Sequence, residues 1–438
     1  MRVTDATTYK RAKVDRWIGL WILLTLSVVL RDLLQEESAR YSVLVYTMYV
    51  TPFIYLFRMV RIGVTELLLF AMLIVMYLDA SLLHPNFFRP STFFYSCMFV
   101  FTFLLYRSIV IRGAISVNDV ARFVRYVLYA YFVVLVLQQF QVLIGEQPWN
   151  APVYTENRWK LNSLSMEPSN TILVTAVLIF THVKLQEMMR GERKYRLSHV
   201  IHADKWVWMA YLYVNLTCGS MTVLFVLPVL ACYFFNRRSL RYLPAVVIVL
   251  VLAVNLLAQA NPQLMDRFTD LLTVLFNTKE ATSQMVSEVD PSSAVRFVPY
   301  MEFFRTFDIT SINTWFGHGI DQLEVLCTNV VVDDVERAIG ANNILSLFYD
   351  YGLIPGVLFF VFLARTILPR LISFQTVYYL LVFTVLPLNH YITWLMVCLF
   401  FTINHFRNNY DKTATHTPRT DRRQYTACAA GTTPWTTD

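Results

Sequence analysis

Long apolar segments separated by short polar ones recur along most of the chain. An apolar segment of roughly 17–25 residues is long enough to cross the hydrocarbon core of a bilayer as a helix. Helix is the default structure there, because lipid cannot satisfy backbone polar groups. The pattern predicts about twelve spans of this kind. They cover residues 17–34, 41–57, 62–83, 91–111, 122–144, 169–187, 202–217, 219–235, 241–259, 342–364, 371–387 and 389–405.

The composition favours the same fold class. Of the 438 residues, 56% are apolar and 15% are charged, whereas about 25% of the residues of soluble proteins are charged. The mean hydropathy is +0.47, and a soluble chain could not bury that much apolar surface in one core. We therefore predict an all-α fold, a polytopic transmembrane helical bundle whose environment is the lipid bilayer.

The net charge is +7, and the positions of the lysines and arginines indicate an orientation. If the N-terminus lies in the cytoplasm, the cytoplasmic loops and tails hold 27 of the 37 Lys and Arg residues, and the opposite loops hold the remaining 10. Because cytoplasmic loops are enriched in Lys and Arg, both termini are predicted to be cytoplasmic. Nucleic-acid binding would need one clustered basic patch, so no nucleic-acid partner is expected.

Two long loops are predicted on the outer side, at 145–168 and 260–341. Loops of this length within a compact protein are usually functional or disordered. The second loop contains amphipathic stretches at 264–276 and 295–307, which predict short helices across the membrane face. A turn through 217–220 must join two of the spans, since almost no polar sequence separates them.

The domain organisation follows from these segments. Residues 1–405 are predicted to form a single transmembrane domain, and 406–438, rich in Thr, Asp and Arg, a disordered cytoplasmic tail. The sequence has no metal-ligand cluster, no phosphate-binding glycine loop and no nucleotide fingerprint, so no cofactor is expected. It has no internal repeat either, and an inverted-repeat transporter therefore gains no support.

The most informative polar segment directly precedes the sixth predicted span. Pro168 fits the first turn of a helix. Glu167 is then placed at the positive end of the helix dipole, where an ionised carboxylate is stabilised. Two cations, Arg158 and Lys160, come shortly before it. The alternative interpretation is an N-cap carboxylate with two interfacial anchors.

A second segment lies in the long outer loop. The guanidinium groups of Arg296 and Arg305 suit phosphate oxygens, which they can bind in a forked geometry. An interfacial arginine also snorkels without any ligand. Gly317 and Gly319 flank His318 and would allow a tight turn there. His318 is a lesser candidate, since a lone loop histidine is more often neither base nor ligand.

A third segment begins the next apolar helix from the outer side. Asn342 or Asn343 could cap this helix. Asp350 lies about two turns into the span, where a carboxylate is costly and often functional.

Other polar residues have simpler interpretations: Glu66 and Asp79 lie near helix ends and are expected to reach the interface. Gln138, near an outer helix end, is expected to hydrogen-bond another helix.

These three segments, in this order and at these topological places, resemble those of the O-antigen polymerase and O-antigen ligase superfamily. The stretch Lys160-x-x-Ser163-x-x-x-Glu167-Pro-Ser resembles the basic-x-x-Gly-x-x-x-Glu-Pro-Ser segment of the polymerases. Lys and Ser stand here at the usual Arg and Gly. The turn at 217–222 is similar to a Ser-Arg turn between two earlier helices of the family, without its Arg.

Two further stretches extend the resemblance to about a quarter of the chain. Residues 296–319 resemble the Arg…Phe-Gly-x-Gly stretch of the family's large periplasmic loop, and 342–356 resemble the His-Asn-x-x-Leu…Gly-x-x-Gly start of the next helix. In ligases this His is implicated in catalysis. Here the position is Asn342, which cannot act as a base, and with Glu167-Pro-Ser present the polymerase branch is favoured.

The resemblance implies a helical fold of the GT-C kind in the bacterial inner membrane and inverting glycosyl transfer on its periplasmic side. The substrate would be a glycan on undecaprenyl diphosphate, polymerised into O-antigen or exopolysaccharide, with a chain-length regulator as a further partner. Glu167 would be the base or would orient the acceptor. The residues implied to bind diphosphate or sugar carboxylates are Arg158, Lys160, Arg296 and Arg305. Further candidates are Asn342, Asn343, Asp350 and His318.

Two alternatives stay open at this point. A lipid-linked glycan flippase or transporter would need charged residues along a path through the membrane. The conspicuous charges gather on one face instead, which favours an enzyme. Within the superfamily, the alternative is a ligase that transfers the glycan to lipid A core or to protein.

Overall fold

The computed structural model describes residues 3–30, 42–58, 62–87, 89–150, 159–192, 194–220, 222–234, 291–330, 344–368, 373–383 and 386–416. These residues form helices and connecting turns with no β-strand among them, so the all-α prediction is confirmed for this part of the chain. The helices are α1 (Val3–Ser27), α2 (Ser42–Phe57), α3 (Val64–Leu78), α4 (Pro90–Ile111), α5 (Val117–Leu143), α6 (Pro168–Arg190), α7 (Leu197–Ile201), α8 (Lys205–Thr217), α9 (Val223–Phe234), α10 (Pro291–Thr306), α11 (Ile312–Phe316), α12 (Gln322–Val330), α13 (Leu345–Tyr351), α14 (Leu353–Thr366), α15 (Phe374–Phe383) and α16 (Tyr391–His416).

Within the described residues, four helices are long and apolar enough to cross a membrane. They are α3 together with the π-helical turn Asp79–Leu83 that continues it, and α4, α5 and α6. Two shorter apolar helices lie at Val43–Phe57 and Leu353–Thr366. This arrangement agrees with a helical membrane protein. The other predicted spans also contain helices, except 241–259, which lies outside the described residues. The count of about twelve crossings stays a prediction.

Local sequence explains where the long helices begin and end. The Ser116 hydroxyl accepts a hydrogen bond from the Asp119 amide at 3.2 Å, and the Asp119 carboxylate accepts one from the Ser116 amide at 3.1 Å. This reciprocal pair is a capping box, and it fixes the start of α5. α6 begins at Pro168 and ends before Gly191, whose φ of 64° is the left-handed conformation that terminates many helices.

α6 forms the centre of the bundle. In the most apolar stretch of α6, 89% of the residues are buried, and the helix packs against α5, α8, α9 and α16. A helix that is hydrophobic all round is expected to be buried in this way. Its Phe180 stacks on Tyr378 of α15, with ring centroids 4.5 Å apart. In contrast, only 39% of the residues in the most apolar stretches of α3 and α5 are buried. The remaining apolar faces of these two helices point outward, as lipid contact requires.

Ion pairs join the helices at one end of the bundle, which we call the basic end. The pairs are Asp15 with Arg58, Arg16 with Asp119, and Glu66 with Arg107. The arginines that indicate the orientation therefore also connect helices. Two of the pairs join α1 to α2 and to α5, and the third joins α3 to α4. Glu66 is 2% exposed and does not reach the interface as predicted, because a buried carboxylate needs a partner and Arg107 provides one.

The predicted turn between the seventh and eighth spans is confirmed. Residues 218–220 follow α8 as a turn in which Gly219 adopts a φ of 72°, and α9 begins at Val223. The amphipathic stretch predicted at 295–307 is helical up to Thr306, where α10 ends, whereas the one at 264–276 lies outside the described residues.

The last helix is longer than the sequence analysis predicts. α16 continues to His416, past the predicted start of the tail at residue 406. No proline or glycine interrupts the sequence between Tyr391 and Pro418, so nothing in the local sequence ends the helix earlier. Residues 417–438 lie outside the described part of the chain.

Candidate functional site at the loop end

The predicted site residues that the structure describes lie at the end of the bundle opposite the basic end, which we call the loop end. α6 begins there at Pro168, α3 ends there after its π-helical turn, and the turn after α8 lies there. Contacts among the described residues at this end form two groups. The first surrounds residues 159–168, and the second joins 79–89 to 312–323.

The first group is a buried polar loop in front of α6. Asn162, Ser163 and Ser165 are all 0% exposed. The Asn150 amide nitrogen donates to the Ser163 carbonyl at 2.7 Å, and the Asn162 amide nitrogen donates to the Asn150 carbonyl at 2.7 Å. The Ser163 hydroxyl donates to the Tyr131 carbonyl of α5 at 2.6 Å. Because each unpaired buried polar group costs about 1–3 kcal/mol, this network holds the loop in place.

Ser163 adopts a φ of 48°, in the left-handed region that favours glycine. Gln138 of α5 fixes the turn, since its Oε1 accepts the Ser163 amide at 2.9 Å and its Nε2 donates to the Trp149 carbonyl at 2.6 Å. Gln138 therefore binds this loop, rather than another helix as predicted.

Two substitutions of Ser163 separate backbone strain from the lost hydrogen bond. Alanine and glycine both remove the hydroxyl that donates to Tyr131, but only alanine keeps a Cβ at a φ of 48°. We expect S163G to be more stable than S163A by roughly 0.5–1 kcal/mol. The left-handed φ strains the alanine variant, and this cost exceeds the cost that the larger unfolded-state entropy of glycine imposes on the glycine variant. Chemical denaturation of the detergent-solubilised variants measures the difference, and an alanine variant at least as stable as the glycine variant would contradict the prediction.

Glu167 occupies the N-cap position of α6, as the sequence predicts, and is exposed. Its carboxylate makes no hydrogen bond to the helix amides; the Ser169 hydroxyl donates to it at 3.4 Å. The side chain is therefore not used to cap the helix. An exposed carboxylate at the positive end of a helix dipole can bind a ligand hydroxyl or accept a proton from it.

Lys160 lies against the turn between α8 and α9. A Cβ built on Gly219 would be 3.5 Å from the Lys160 Cα, and the Cys218 sulfur lies 4.0 Å from the Pro168 carbonyl oxygen. The structure therefore brings together two segments that lie far apart in the sequence, the one ending in Glu167-Pro168 and the turn after α8. The sequence alone gives their order but not this contact.

The second group is built on two glycines. A Cβ on Gly317 would lie 2.3 Å from the Asp350 carbonyl oxygen, and a Cβ on Gly352 would lie 2.3 Å from the Trp315 carbonyl oxygen. Their φ angles are +90° and +88°, so the tight turn predicted at Gly317 is present. Direct backbone contact thus attaches the segment after α11 to the end of α13.

His318 packs within this contact. Its ring stacks on that of Tyr349, with centroids 4.1 Å apart, and its Nδ1 lies 3.1 Å from the Tyr349 carbonyl oxygen. Since a carbonyl only accepts, Nδ1 bears the proton. Burial lowers the pKa of His318 and nearby His84 lowers it further, while the hydrogen bond to Tyr349 opposes the shift. These contacts give His318 a packing role and a neutral ring.

Asp350 has a structural partner in the same group. It is 4% exposed, and its Oδ1 accepts a hydrogen bond from the Leu323 amide at 2.9 Å. Leu323 lies in the first turn of α12, where a negative charge is favourable. The carboxylate predicted to be functional therefore caps a neighbouring helix, and this contact accounts for its position without a substrate.

The sequence analysis missed a second buried carboxylate, Asp79, at the loop end. Asp79 is 2% exposed, and neither of its oxygens has a hydrogen-bond partner among the described residues. The His84 Nε2 lies 3.9 Å from Asp79 Oδ1 and 3.0 Å from the Gly317 carbonyl oxygen. Asp79 also begins the π-helical turn, a feature frequent at functional sites. The sequence does contain a signal for this residue, since Asp79 is an acidic residue inside an apolar run. Its position near a helix end favoured the interpretation that it reaches the interface.

The remaining predicted site residues are described only in part. Arg305, near the end of α10, is exposed, and its Nη1 lies 3.8 Å from Glu302 Oε2. Arg296 lies on the same helix, but its side chain is outside the described part of the structure. No contact described here joins Arg305 to Glu167. Three predicted residues fall entirely outside the described ranges: Arg158, Asn342 and Asn343.

Among the described residues, no group of three or more His, Cys, Asp or Glu side chains could hold a metal ion. Comparison of the chain with protein-family models, with curated proteins and with solved structures found no match. Any functional assignment therefore depends on the residues and their geometry.

Proposed function

We propose that this protein is a glycosyltransferase that polymerises lipid-diphosphate-linked oligosaccharides. The observation that supports the proposal best is the loop in front of α6. Its Ser163 has the left-handed conformation expected where the polymerase segment has glycine, and its Glu167 presents an exposed carboxylate. The proposal implies a GT-C-like protein of the bacterial inner membrane, with cytoplasmic termini and a periplasmic loop end.

The proposed reaction is a single inverting displacement. A hydroxyl of the incoming lipid-linked repeat unit attacks the anomeric carbon of the growing chain. The new carbon–oxygen bond forms as the bond to undecaprenyl diphosphate breaks, and the diphosphate leaves with the electron pair. Glu167 takes the hydroxyl proton or orients the acceptor. Lys160, with Arg158, Arg296 and Arg305, is proposed to stabilise the charge that develops on the diphosphate.

Reconstitution tests this proposal directly. Purified protein in lipid nanodiscs is supplied with radiolabelled, undecaprenyl-diphosphate-linked repeat units, and the products are separated by size. A ladder of lipid-linked oligomers is the expected result. A single product on added lipid A core or protein acceptor would identify a ligase instead. Unchanged repeat units that cross a proteoliposome membrane would identify a flippase.

A further inference from the structure

A groove runs along the side of the bundle, from the basic end toward the loop end. It has a volume of about 1180 Å³ and lies between residues 16–28, in and just after α1, residues 43–54 of α2 and residues 119–130 of α5. Large apolar side chains on its walls are accessible from outside: Tyr46 is 70% exposed and Tyr126 is 66% exposed. The groove exceeds the range of about 300–1,000 Å³ typical of pockets for compact small molecules.

The length of the groove matches one leaflet of a bilayer. From residue 16 to Ser27, where α1 ends, the helix rises about 17 Å at 1.5 Å per residue. Half of a hydrocarbon core of about 30 Å is about 15 Å. A ligand that fills the groove would therefore be extended along the helices to about the depth of one leaflet, as acyl chains are.

The hydroxyl groups of Thr47 and Thr51, which line the groove, both have partners. The Trp21 indole nitrogen donates to the Thr47 hydroxyl at 3.1 Å. The Thr51 hydroxyl lies 2.9 Å from that of Thr102 on α4, within hydrogen-bonding distance. Because these wall groups already have partners, the interior of the groove suits an apolar ligand.

Charge is confined to one end of the groove, at the basic end of the bundle. Arg16 and Asp119 line it there and neutralise each other in an ion pair. Arg122 also lines the groove and is exposed, and the described structure gives it no hydrogen bond or ion pair. One positive charge is therefore left at the rim, on a guanidinium group whose geometry suits phosphate oxygens.

We propose that this groove binds one anionic glycerophospholipid from the leaflet at the basic end. Its acyl chains lie along α1, α2 and α5, and its phosphate contacts Arg122. Charge complementarity selects this occupant, since the one unneutralised charge among the described lining residues is a cation and most of the lining side chains are apolar. The inference is independent of the proposed glycosyl transfer, which concerns the opposite end of the bundle.

Native mass spectrometry of the detergent-solubilised protein tests the proposal. Titration with phosphatidylglycerol should show one tightly bound lipid, and phosphatidylcholine should bind more weakly. Arg122→Gln should weaken phosphatidylglycerol binding about fivefold. Arg365→Gln is the matched control, because Arg365 is also exposed but does not line the groove, and it should bind the lipid as the wild type does.

A second variant tests the apolar walls. Val50 lines the groove and is 53% exposed, so Val50→Trp should fill the groove, lower lipid occupancy severalfold and leave the unfolding temperature in lipid-free detergent unchanged. Equal affinity for the two lipids, or equal losses in the Arg122 and Arg365 variants, would overturn the proposal. So would inorganic phosphate that raises the unfolding temperature as phosphatidylglycerol does, or a dimer that buries Val50 in place of lipid.

Discussion

Replacing Glu167 by glutamine is expected to lower the rate of polymer formation by about 10²–10⁴-fold, the range typical for loss of a general base. Glutamine keeps the size of the side chain and can still accept the hydrogen bond from Ser169, but it cannot take a proton. The fold should be unaffected, since Glu167 is exposed and makes no capping hydrogen bond. The rate is measured on lipid-linked repeat units in nanodiscs, and the glycan chain length is measured in cells.

The matched control for this variant is Glu146→Gln. Glu146 is also an exposed carboxylate at the loop end, just after α5, and its loss should leave the rate unchanged. Equal membrane levels of both variants must be verified. A normal rate in E167Q would remove Glu167 from the mechanism, while a product ladder from the wild type would still support a polymerase. The two conclusions are therefore tested separately.

Replacing Gly317 by alanine is expected to lower the free energy of unfolding by roughly 2–5 kcal/mol. Two effects add here. The backbone has φ +90° and ψ 178°, a region that only glycine occupies readily. The new Cβ would also lie 2.3 Å from the Asp350 carbonyl oxygen, and a backbone atom cannot move aside as the end of a flexible side chain can. Denaturation of the detergent-solubilised protein measures the loss.

Gly113→Ala isolates the second effect. Gly113 also has a positive φ, +72°, but a Cβ there would meet nothing within 4 Å. Only conformational strain of about 1–2 kcal/mol is expected at that position. Gly352→Ala should resemble the Gly317 variant, and the double variant should lose less than the sum, because both residues belong to one contact. Equal losses in the Gly317 and Gly113 variants would show that the close approach is unimportant for stability.

Much of the fold could be predicted from the sequence. Apolar segments of membrane length lead to helices because backbone groups in lipid must be satisfied internally, and each predicted span within the described residues contains a helix. Local rules also placed the start of α6, since Pro168 and the residue before it make a helix N-terminus. Glu167 therefore lies where the sequence predicts.

The candidate site could be predicted only in part. The sequence names Asp350 as a candidate site residue but does not reveal its structural contact, because nothing local indicates that Leu323, 27 residues away, donates its amide to it. It treated Glu66 and Asp79 alike as interfacial residues. The structure separates them, since Glu66 is paired with Arg107 and Asp79 has no hydrogen-bond partner among the described residues.

By itself, then, the sequence determined the helical class, the asymmetry of basic residues and the segment that ends in Glu167, because each depends on composition or on neighbours within a few residues. Only the tertiary structure decided which charges pair, where Gly317 meets Gly352, and that α1, α2 and α5 leave a groove with Arg122 at its rim. Those features join residues from 26 to more than 100 positions apart, and their contacts exist only once the helices have packed.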